Sequence, residues 1–336
     1  ADDHFNTVLY TGNGSSQAIT GVGFQPDWVW IKQRNEARSH SIFDAVRGVQ
    51  KQISSDQNSA ESTASSFLTA FGSDGFTYGS SDNGNKSGGS YVSWNWKAGG
   101  SESSNSDGTI TTSVSANTTA GFSIIKYAGN SSNSTIGHGL GASPEYIIFK
   151  EIDGAESWRV HSIHTPNNSS NTLGLNLNSA SFSQSNWISA ISSSTISIGT
   201  DSSFNTSGNN YIAYAFTPKK GYSSIGIYKG NGSSSAPTFI YTGMKPSFVL
   251  VKNISQADSW FLHDNKRDGF NDDNEYMRPN EASAEGSGVN RIRLLSNGFS
   301  VPTTDKSHNV SGNDYIYIAF AESPFVNSKG VPTNAR

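Results

Sequence analysis

Three imperfect copies of one pattern run through the 336-residue chain, and they constrain its fold more than any other feature. Each copy opens with Tyr, one variable residue and Gly-Asn, and closes with Asn-x-Ser-Gly-x-x-Tyr. The opening and closing tyrosines are 81, 84 and 87 residues apart. These pairs are Tyr10 and Tyr91, Tyr127 and Tyr211, and Tyr228 and Tyr315. A nearly constant spacing of this kind indicates a repeat architecture, with one structural unit per copy.

Between these landmarks each copy has a proline followed six residues later by a lysine, with mostly apolar residues between them. The pairs are Pro26 and Lys32, Pro144 and Lys150, and Pro246 and Lys252. Eight residues after the lysine come His40, Trp158 and Trp260, and eleven residues after it come Phe43, His161 and His263. The repeat therefore brings large rings to the same two positions of every unit.

The hydrophobic periodicity inside a copy is two, which predicts β-strands. In the first closing segment Val92, Trp94 and Trp96 alternate with Tyr91 and polar residues, so we expect one face in a core and the other outside it. The segment after each proline is apolar on both faces, which is typical of a central strand covered on both sides. The pattern predicts seven or eight short strands per copy and no helix of ten residues.

We therefore predict an all-β fold of three tandem β-sandwiches, of the jelly-roll or lectin-like type, with about 100 residues each. The units would be 1–98, 108–218 and 219–336, the last including a C-terminal tail, and the Gly/Ser-rich segment 99–107 would be a linker. The alternative is one larger fold, such as a trefoil or a propeller, in which the repeats share a core. Each copy has enough apolar residues for its own core, which favours three sandwiches in a row.

Composition excludes several classes of protein. Charged residues make up only 15% of the chain and aromatic residues 11%, a combination that argues against disorder. The net charge of −4, without a cluster of basic residues, argues against nucleic-acid binding. The chain has no cysteine, which excludes disulfides and thiol chemistry, and no apolar run long enough for a membrane span. A neutral, Ser/Gly/Asn-rich and aromatic-rich β-protein is typical of virion or extracellular proteins.

The repeated rings are the candidate carbohydrate-binding residues. Sugars present apolar C–H faces and rings of hydroxyls, which aromatic rings and polar side chains can bind together. The candidates are Trp158, His161, Trp260, His263 and His40. The alternative is that each ring fills the same core position in every unit, and recurrence in three copies favours such packing.

An acidic stretch in the third copy is a candidate Ca²⁺ site, because hard oxygen ligands in a loop suit this ion. The candidate ligands are Asp268, Asp272, Asp273 and Glu275. The spacing of an EF-hand is absent, and an exposed acidic loop is the alternative. We predict no other cofactor.

Catalysis has weaker sequence support. The chain has no G-x-S-x-G motif, and a serine beside His40 is expected by chance in so serine-rich a chain. Acidic residues near tryptophans could form the carboxylate pair of a glycoside hydrolase. These are Asp27, Glu156 and Asp258. Caps of strand ends and turns are the alternative role for all three, and we expect no catalytic residue.

Three segments resemble repeats in virion proteins of marine tailed bacteriophages. They are YTGNGSSQAITGVGFQPDWVWIK at 10–32, HGLGASPEYIIFK at 138–150 and YIYIAFAESPF at 315–325. The resemblance covers nearly the whole chain and implies a tail-fibre-like or other surface-exposed structural protein. It also implies contact with other virion proteins and a homo-oligomer, such as the trimers that fibres form. It transfers no catalytic residue.

The leading functional hypothesis is thus a non-catalytic phage surface protein that binds a polysaccharide of the host cell. One alternative is a polysaccharide depolymerase or glycoside hydrolase, which would need two facing acids beside exposed rings. The other is a purely structural capsid or tail decoration protein, in which all the repeated rings would be buried.

Overall fold

A computed structural model describes residues 4–267, 271 and 275–321. The predicted all-β class is confirmed: the described chain consists of antiparallel strands, turns and two four-residue helices, α1 (Asp82–Asn85) and α2 (Ser202–Asn205). No helix among these residues has the length and apolar character that a membrane crossing requires.

Repeat 1 contributes the first nine strands. In chain order they are β1 (Phe5–Thr11), β2 (Gln17–Thr20), β3 (Trp28–Gln33), β4 (Ser41–Asp44), β5 (Lys51–Gln52), β6 (Ser62–Thr63), β7 (Leu68–Gly72), β8 (Gly75–Tyr78) and β9 (Ser90–Trp96). An inner sheet has the order β1-β9-β3-β4, and an outer sheet has the order β2-β8-β7. Strands β5 and β6 form a short ribbon. The two sheets make a small sandwich.

Repeat 2 has the same plan with two additional strands. Its strands are β10 (Ser103–Asn105), β11 (Thr112–Asn117), β12 (Phe122–Ala128), β13 (Ser134–Gly137), β14 (Tyr146–Glu151), β15 (Arg159–Ser162), β16 (Asn171–Thr172), β17 (Phe182–Ser183), β18 (Ile188–Ile191), β19 (Thr195–Ile198) and β20 (Asn210–Phe216). The inner sheet has the order β10-β11-β12-β20-β14-β15, and the outer sheet β13-β19-β18. Strand β10 lies within the segment 99–107 that we predicted as a linker, and it extends the inner sheet by one edge strand.

Repeat 3 has the four-stranded inner and three-stranded outer sheets of repeat 1, without the short ribbon among its described residues. Its strands are β21 (Ser223–Lys229), β22 (Thr238–Tyr241), β23 (Pro246–Asn253), β24 (Phe261–Asp264), β25 (Arg293–Leu295), β26 (Gly298–Val301) and β27 (Asp314–Ala321). The inner sheet is β21-β27-β23-β24 and the outer sheet is β22-β26-β25.

The repeated tyrosines join the first and last strands of every repeat. The opening tyrosine lies directly opposite the closing tyrosine in the strand register. Their rings stack, with centroids 5.1, 5.3 and 5.0 Å apart in repeats 1, 2 and 3 and with interplanar angles below 20°. Such cross-strand aromatic pairs stabilise antiparallel sheets. The repeated tyrosine pair therefore joins the first and last strands of each repeat.

The asparagine of the Asn-x-Ser-Gly motif is a second internal tie. In repeat 1 the buried Asn85 amide accepts a hydrogen bond from the backbone N–H of Asn13 at 2.8 Å and donates to the Gly79 carbonyl at 2.8 Å. The equivalent asparagines, Asn205 and Asn309, make the matching bonds in the other repeats. The motif glycine has φ between 76° and 84° in all three copies, a conformation that glycine adopts without strain.

Both faces of the inner sheets are buried, which corrects our expectation of a single buried face. In β9, Trp94 and Trp96 point into the largest core, while Tyr91 packs in the sandwich of repeat 1. Ser93 and Asn95 are also fully buried. They tolerate burial because the Asn95 amide donates to the Ser93 hydroxyl at 3.1 Å and to the Asn6 carbonyl at 3.1 Å.

The three inner sheets face one another around a shared aromatic core. It joins Trp28, Trp30 and Trp96 of repeat 1 to Tyr214 and Phe216 of repeat 2 and to Phe248 and Phe320 of repeat 3. The rings are in direct contact: the Trp28 and Tyr214 centroids are 4.5 Å apart, and those of Trp96 and Phe248 are 5.5 Å apart. The repeats are therefore not independent sandwiches in a row, because each adds one face to a common core.

Backbone hydrogen bonds close the three repeats into a ring. The Glu61 N–H donates to the Ile152 carbonyl, the Ser181 N–H to Ile254, and the Glu285 N–H to Arg34, at 2.8, 3.1 and 2.8 Å. Each acceptor lies two residues after the repeated lysine, and each bond joins one repeat to the next. Because repeat 3 bonds back to repeat 1, the three interfaces, here called 1–2, 2–3 and 3–1, form a closed cycle.

Two of these interfaces contain a buried ion pair. At interface 1–2, Asp44 binds Arg47 at 2.5 Å and accepts a hydrogen bond from the Tyr214 hydroxyl of repeat 2 at 2.7 Å. At interface 3–1, Asp264 binds Arg267 at 2.6 Å and accepts from the Trp94 indole of repeat 1 at 2.9 Å. All four ion-pair side chains are completely buried.

Interface 2–3 has none of these groups. At the positions equivalent to the aspartate and arginine, repeat 2 has Ser162 and Thr165, and the matching residue of the closing strand in repeat 3 is Ile318. The glutamate that also binds the arginine, Glu61 in repeat 1 and Glu285 in repeat 3, is replaced by Ser181. The aspartate, the arginine, the glutamate and the ring that donates to the aspartate are here called the charged set. All four are present at interfaces 1–2 and 3–1, and all four are absent at interface 2–3.

Candidate functional site

The rings eight residues after the lysine hold the interfaces together. The Trp158 indole donates to the Ser54 and Gln57 carbonyls of repeat 1 at 2.9 and 3.1 Å. The Trp260 indole donates to the Gly174 carbonyl of repeat 2 at 2.8 Å. The His40 ring completes the cycle, with Nε2 3.1 Å from the Arg278 carbonyl of repeat 3.

These rings do not form an exposed platform for a sugar. Trp158 and His40 expose nothing, and Trp260 exposes 1% of its surface. A sugar stacks only on a ring with a free face. The recurrence of the three rings in the sequence is explained by one repeated structural task, the hydrogen bond to the neighbouring repeat.

The repeated lysines have a related task. Lys150 donates to the Asn58 carbonyl of repeat 1 at 3.2 Å, and Lys252 donates to the Asn178 carbonyl of repeat 2 at 3.2 Å. All three lysines are fully buried. Loss of hydration lowers the pKa of Lys32, Lys150 and Lys252 to about 8.

The rings eleven residues after the lysine differ between repeats. Phe43 packs edge-on against Phe67 and Tyr78 in the sandwich of repeat 1. In repeat 3, His263 is buried with its Nε2 3.1 Å from Nε2 of His308, and desolvation lowers the pKa of both histidines. Neither ring reaches solvent, so neither can stack on a sugar.

His161, the equivalent residue of repeat 2, lines a hollow of about 130 Å³. The hollow lies between β15 of the inner sheet and β18 of the outer sheet. Its lining consists of His161, Ile163, Asn168, Ser169, Ile188, Ser189, Ala190 and Ile191. His161 is thus a predicted carbohydrate-binding residue that lies at a cavity wall.

A second hollow of about 250 Å³ adjoins the first one. It is lined by Thr109, Asn133, Ser134, Thr135, Ser189, Ser197 and Ile198. Ser189 lines both hollows, and the two hollows are here called the repeat-2 groove. No Asp, Glu, Lys or Arg side chain lines it, and His161 is its one titratable residue.

Ser189 reaches both hollows because it is the additional residue of a β-bulge. The register of β18 against β19 shifts between Ile188 and Ala190. A bulge bends its strand and changes the direction of a side chain, and bulges are common beside functional sites. The side chains of Ser189, Asn133 and Ser197 make no hydrogen bond to the described part of the chain, which leaves them available to a ligand.

Sequence reasoning missed the groove except for His161. Its other polar residues are serines, threonines and asparagines, which occur throughout this chain. One signal was available: the segment 99–117 before repeat 2 has no counterpart between repeats 2 and 3, and Thr109 of that segment forms part of the groove wall.

Three of the Ca²⁺ candidates, Asp268, Asp272 and Asp273, lie outside the described residues. The fourth, Glu275, forms an ion pair with Arg34 at 2.8 Å. Burial and the neighbouring Glu285 carboxylate raise the pKa of Glu275. Within the ranges 4–267 and 275–321 no three His, Asp or Glu side chains are grouped as a metal site.

The acids considered for catalysis do not line the groove. Asp27 is buried, accepts a hydrogen bond from the Gly100 N–H at 3.1 Å, and has its pKa raised by that burial. Asp258 accepts from the Ser259 N–H at 2.7 Å, as a turn residue would. Glu156 is absent from the walls of both hollows.

Fold and groove define a three-repeat, all-β protein with a shared core and a neutral polar depression on its second repeat. The chain belongs to the family described as a domain of unknown function (DUF7483), which it matches over residues 1–324. The match covers all three repeats. No curated protein and no solved structure matches the chain.

Proposed function

We propose that this protein is a non-catalytic surface protein of a phage virion, of the tail-fibre type, and that it binds a neutral polysaccharide of the host cell in the repeat-2 groove. The observation that carries the proposal is the groove itself, two adjoining hollows lined by hydroxyl, amide and aliphatic groups without a charge. The sequence resemblance to phage virion repeats supports the location on a particle.

The chemistry of the groove suits a neutral sugar. Hydroxyl and amide side chains act both as donors and as acceptors, so they can pair with sugar hydroxyls in several orientations. Ile163 exposes 41% of its surface at the rim, where it can contact a C–H face of the sugar. Recognition of this kind is polar, and bridging waters contribute to it.

Binding without cleavage is favoured by the arrangement of the acids. Glycoside hydrolysis needs two carboxyl groups about 5–10 Å apart on either side of the bond that is cut. Glu275 and Glu285 both bind the same Arg34 nitrogen at 2.8 Å, which commits them to interface 3–1. A glycan in the repeat-2 groove would contact neither of them.

Two further expectations belong to this proposal. A trimer, as in phage fibres, would present three grooves and multiply a weak affinity for a polymeric ligand. Ca²⁺ would act outside the groove, near residues 268–275, so that its removal would weaken the protein's stability or assembly more than its affinity for the sugar.

The proposal predicts binding to polysaccharides without release of sugar. The full-length protein would be applied, in Ca²⁺ and in EDTA, to an array of bacterial and marine polysaccharides, and every positive spot would be assayed for new reducing ends. Ser189→Val should lower binding at least several-fold, because it removes a hydroxyl shared by both hollows.

The matched control is Thr69→Val, at the corresponding bulge of repeat 1, between Leu68 and Ala70. It should leave binding unchanged. Release of reducing ends would support a depolymerase instead, and an array without any positive spot would leave a purely structural virion protein.

A further inference from the structure

The His161 side chain is buried without a hydrogen-bond partner, although it lines the smaller hollow. It exposes 3% of its surface, and neither Nδ1 nor Nε2 makes a hydrogen bond of normal geometry within the described part of the chain, although the Asn168 backbone lies near enough to act on the pKa of the ring. A buried polar group without a partner is destabilising. The cost is recovered if a ligand in the hollow supplies the missing partner.

Repeats 1 and 3 have other side-chain contacts at the same position, although Nδ1 of His263 also has no hydrogen-bond partner among the described residues. In repeat 1 the residue is Phe43, which has no polar atom and packs against Phe67 at a centroid distance of 6.1 Å. In repeat 3, His263 pairs with His308 at 3.1 Å. In repeat 2, His161 is neither replaced by an apolar ring nor paired with a second histidine, and a hollow of about 130 Å³ lies beside it.

The size of the hollow indicates part of a ligand rather than a whole one. Pockets for complete small-molecule ligands have volumes of about 300–1,000 Å³. The second hollow, of about 250 Å³ and lined by hydroxyl groups, has room for the remainder of the ligand, such as a sugar ring. The ligand should therefore be a sugar with a substituent that occupies the smaller hollow, beside His161.

The walls specify the chemistry of that substituent. Ile163, Ile188 and Ile191 supply an aliphatic wall, opposite which the group must be apolar. Desolvation lowers the pKa of His161 to about 4, so the ring is neutral at physiological pH and has one N–H donor and one acceptor nitrogen. A planar amide that carries a methyl group matches both features, whereas a hydroxyl alone leaves the aliphatic wall without a contact.

We propose that the His161 hollow binds the acetamido group of an N-acetylated amino sugar. The methyl group lies against the isoleucines, and the amide pairs with an imidazole nitrogen. This assignment rests on the proposed function, and it names the class of sugar that the repeat-2 groove selects.

Matched glycans test the assignment. Affinities of the full-length protein would be measured by calorimetry for oligomers of N-acetylglucosamine and of N-acetylgalactosamine, and for glucose and galactose oligomers of equal length. A polysaccharide that is positive on the array would also be measured before and after removal of its acetyl groups, and again after re-acetylation. We expect at least a ten-fold preference for the acetylated forms, lost on deacetylation and restored on re-acetylation.

His161→Phe is the decisive variant, because phenylalanine is the natural residue of repeat 1 at this position. It should abolish the preference for acetylated sugars while its urea unfolding midpoint stays at or above that of the parent. Thr69→Val should keep the preference.

Binding that ignores the acetyl group, or a preference that survives in His161→Phe, would overturn the assignment and leave the proposed function standing. The absence of binding to every glycan would overturn both.

Discussion

Asp44→Asn is expected to lower the free energy of unfolding by about 3–5 kcal/mol. The substitution removes the nearer of the two carboxylates that bind the buried Arg47 guanidinium and leaves only Glu61, at 3.1 Å, as its counter-charge. It also changes the acceptor of the Tyr214 hydroxyl, which joins repeat 1 to repeat 2. The measurement is urea-induced unfolding followed by tryptophan fluorescence.

Interface 2–3 indicates which residues could restore the stability that Asp44→Asn loses. Interface 2–3 has Ser162, Thr165, Ser181 and Ile318 in place of the charged set. Transferring these four uncharged residues to interface 1–2 requires Asp44→Ser, Arg47→Thr, Glu61→Ser and Tyr214→Ile together. We expect this fourfold variant to regain most of the stability that Asp44→Asn loses, because a buried ion pair replaced as a unit leaves no unpaired charge.

An exposed ion pair is the control for both variants. Lys229 and Asp314 bind at 2.7 Å, with 64% and 32% of their side chains exposed. Lys229→Ala should cost at most about 1 kcal/mol. If Asp44→Asn costs no more than this control, the ion pair does not stabilise the interface; if the fourfold variant is no more stable than Asp44→Asn, the four residues do not act as a set.

Trp158→Ala is expected to cost about 3–5 kcal/mol, as is usual for a large ring removed from a core. The more informative variant is Trp158→Phe, which keeps most of the ring volume but removes the indole donor from the Gln57 carbonyl and leaves the Ser54 carbonyl with only the Gln57 N–H at 3.3 Å. For Trp158→Phe we expect a loss of about 1–3 kcal/mol, read from the shift of the urea midpoint.

Trp187→Phe is the matched control. Trp187 is as deeply buried in the sandwich of repeat 2, but its indole N–H has no hydrogen-bond partner among the described residues. The excess loss in Trp158→Phe over Trp187→Phe measures the hydrogen bonds to repeat 1. Equal losses in the two variants would mean that the bonds between repeats contribute nothing.

The all-β class and several strands could be predicted because their determinants are local. The spacing of Tyr10 and Tyr91 predicts a repeat, and alternation at Val92, Trp94 and Trp96 predicts a strand and its core face. The apolar segment after Pro26 predicts a central strand, and β3 is indeed buried along its whole length.

The ring of repeats could not be predicted from one repeat, because it depends on contacts between residues that are far apart in the chain. Trp158 has the same sequence pattern whether it faces a sugar or the Ser54 carbonyl. The joint absence in repeat 2 of the residues equivalent to Asp44, Arg47 and Glu61 was a visible signal of a shared environment, but it becomes interpretable only when the partner repeat is known.

The candidate site was predictable only in part, since a cavity is a property of packing. His161 was selected with four other rings, and the sequence could not distinguish the one beside a hollow from those in the core. The bulge that directs Ser189 into the groove follows from the register of β18 against β19, which serine-rich segments do not specify.

The shared core and the three closed interfaces should make the three repeats unfold as one unit. Differential scanning calorimetry of the full chain measures this by comparing the calorimetric enthalpy of unfolding with the van't Hoff enthalpy. A single transition with a ratio close to one is predicted. Two or three separable transitions, or a ratio near three, would mean that the repeats are independent sandwiches and would contradict the closed ring.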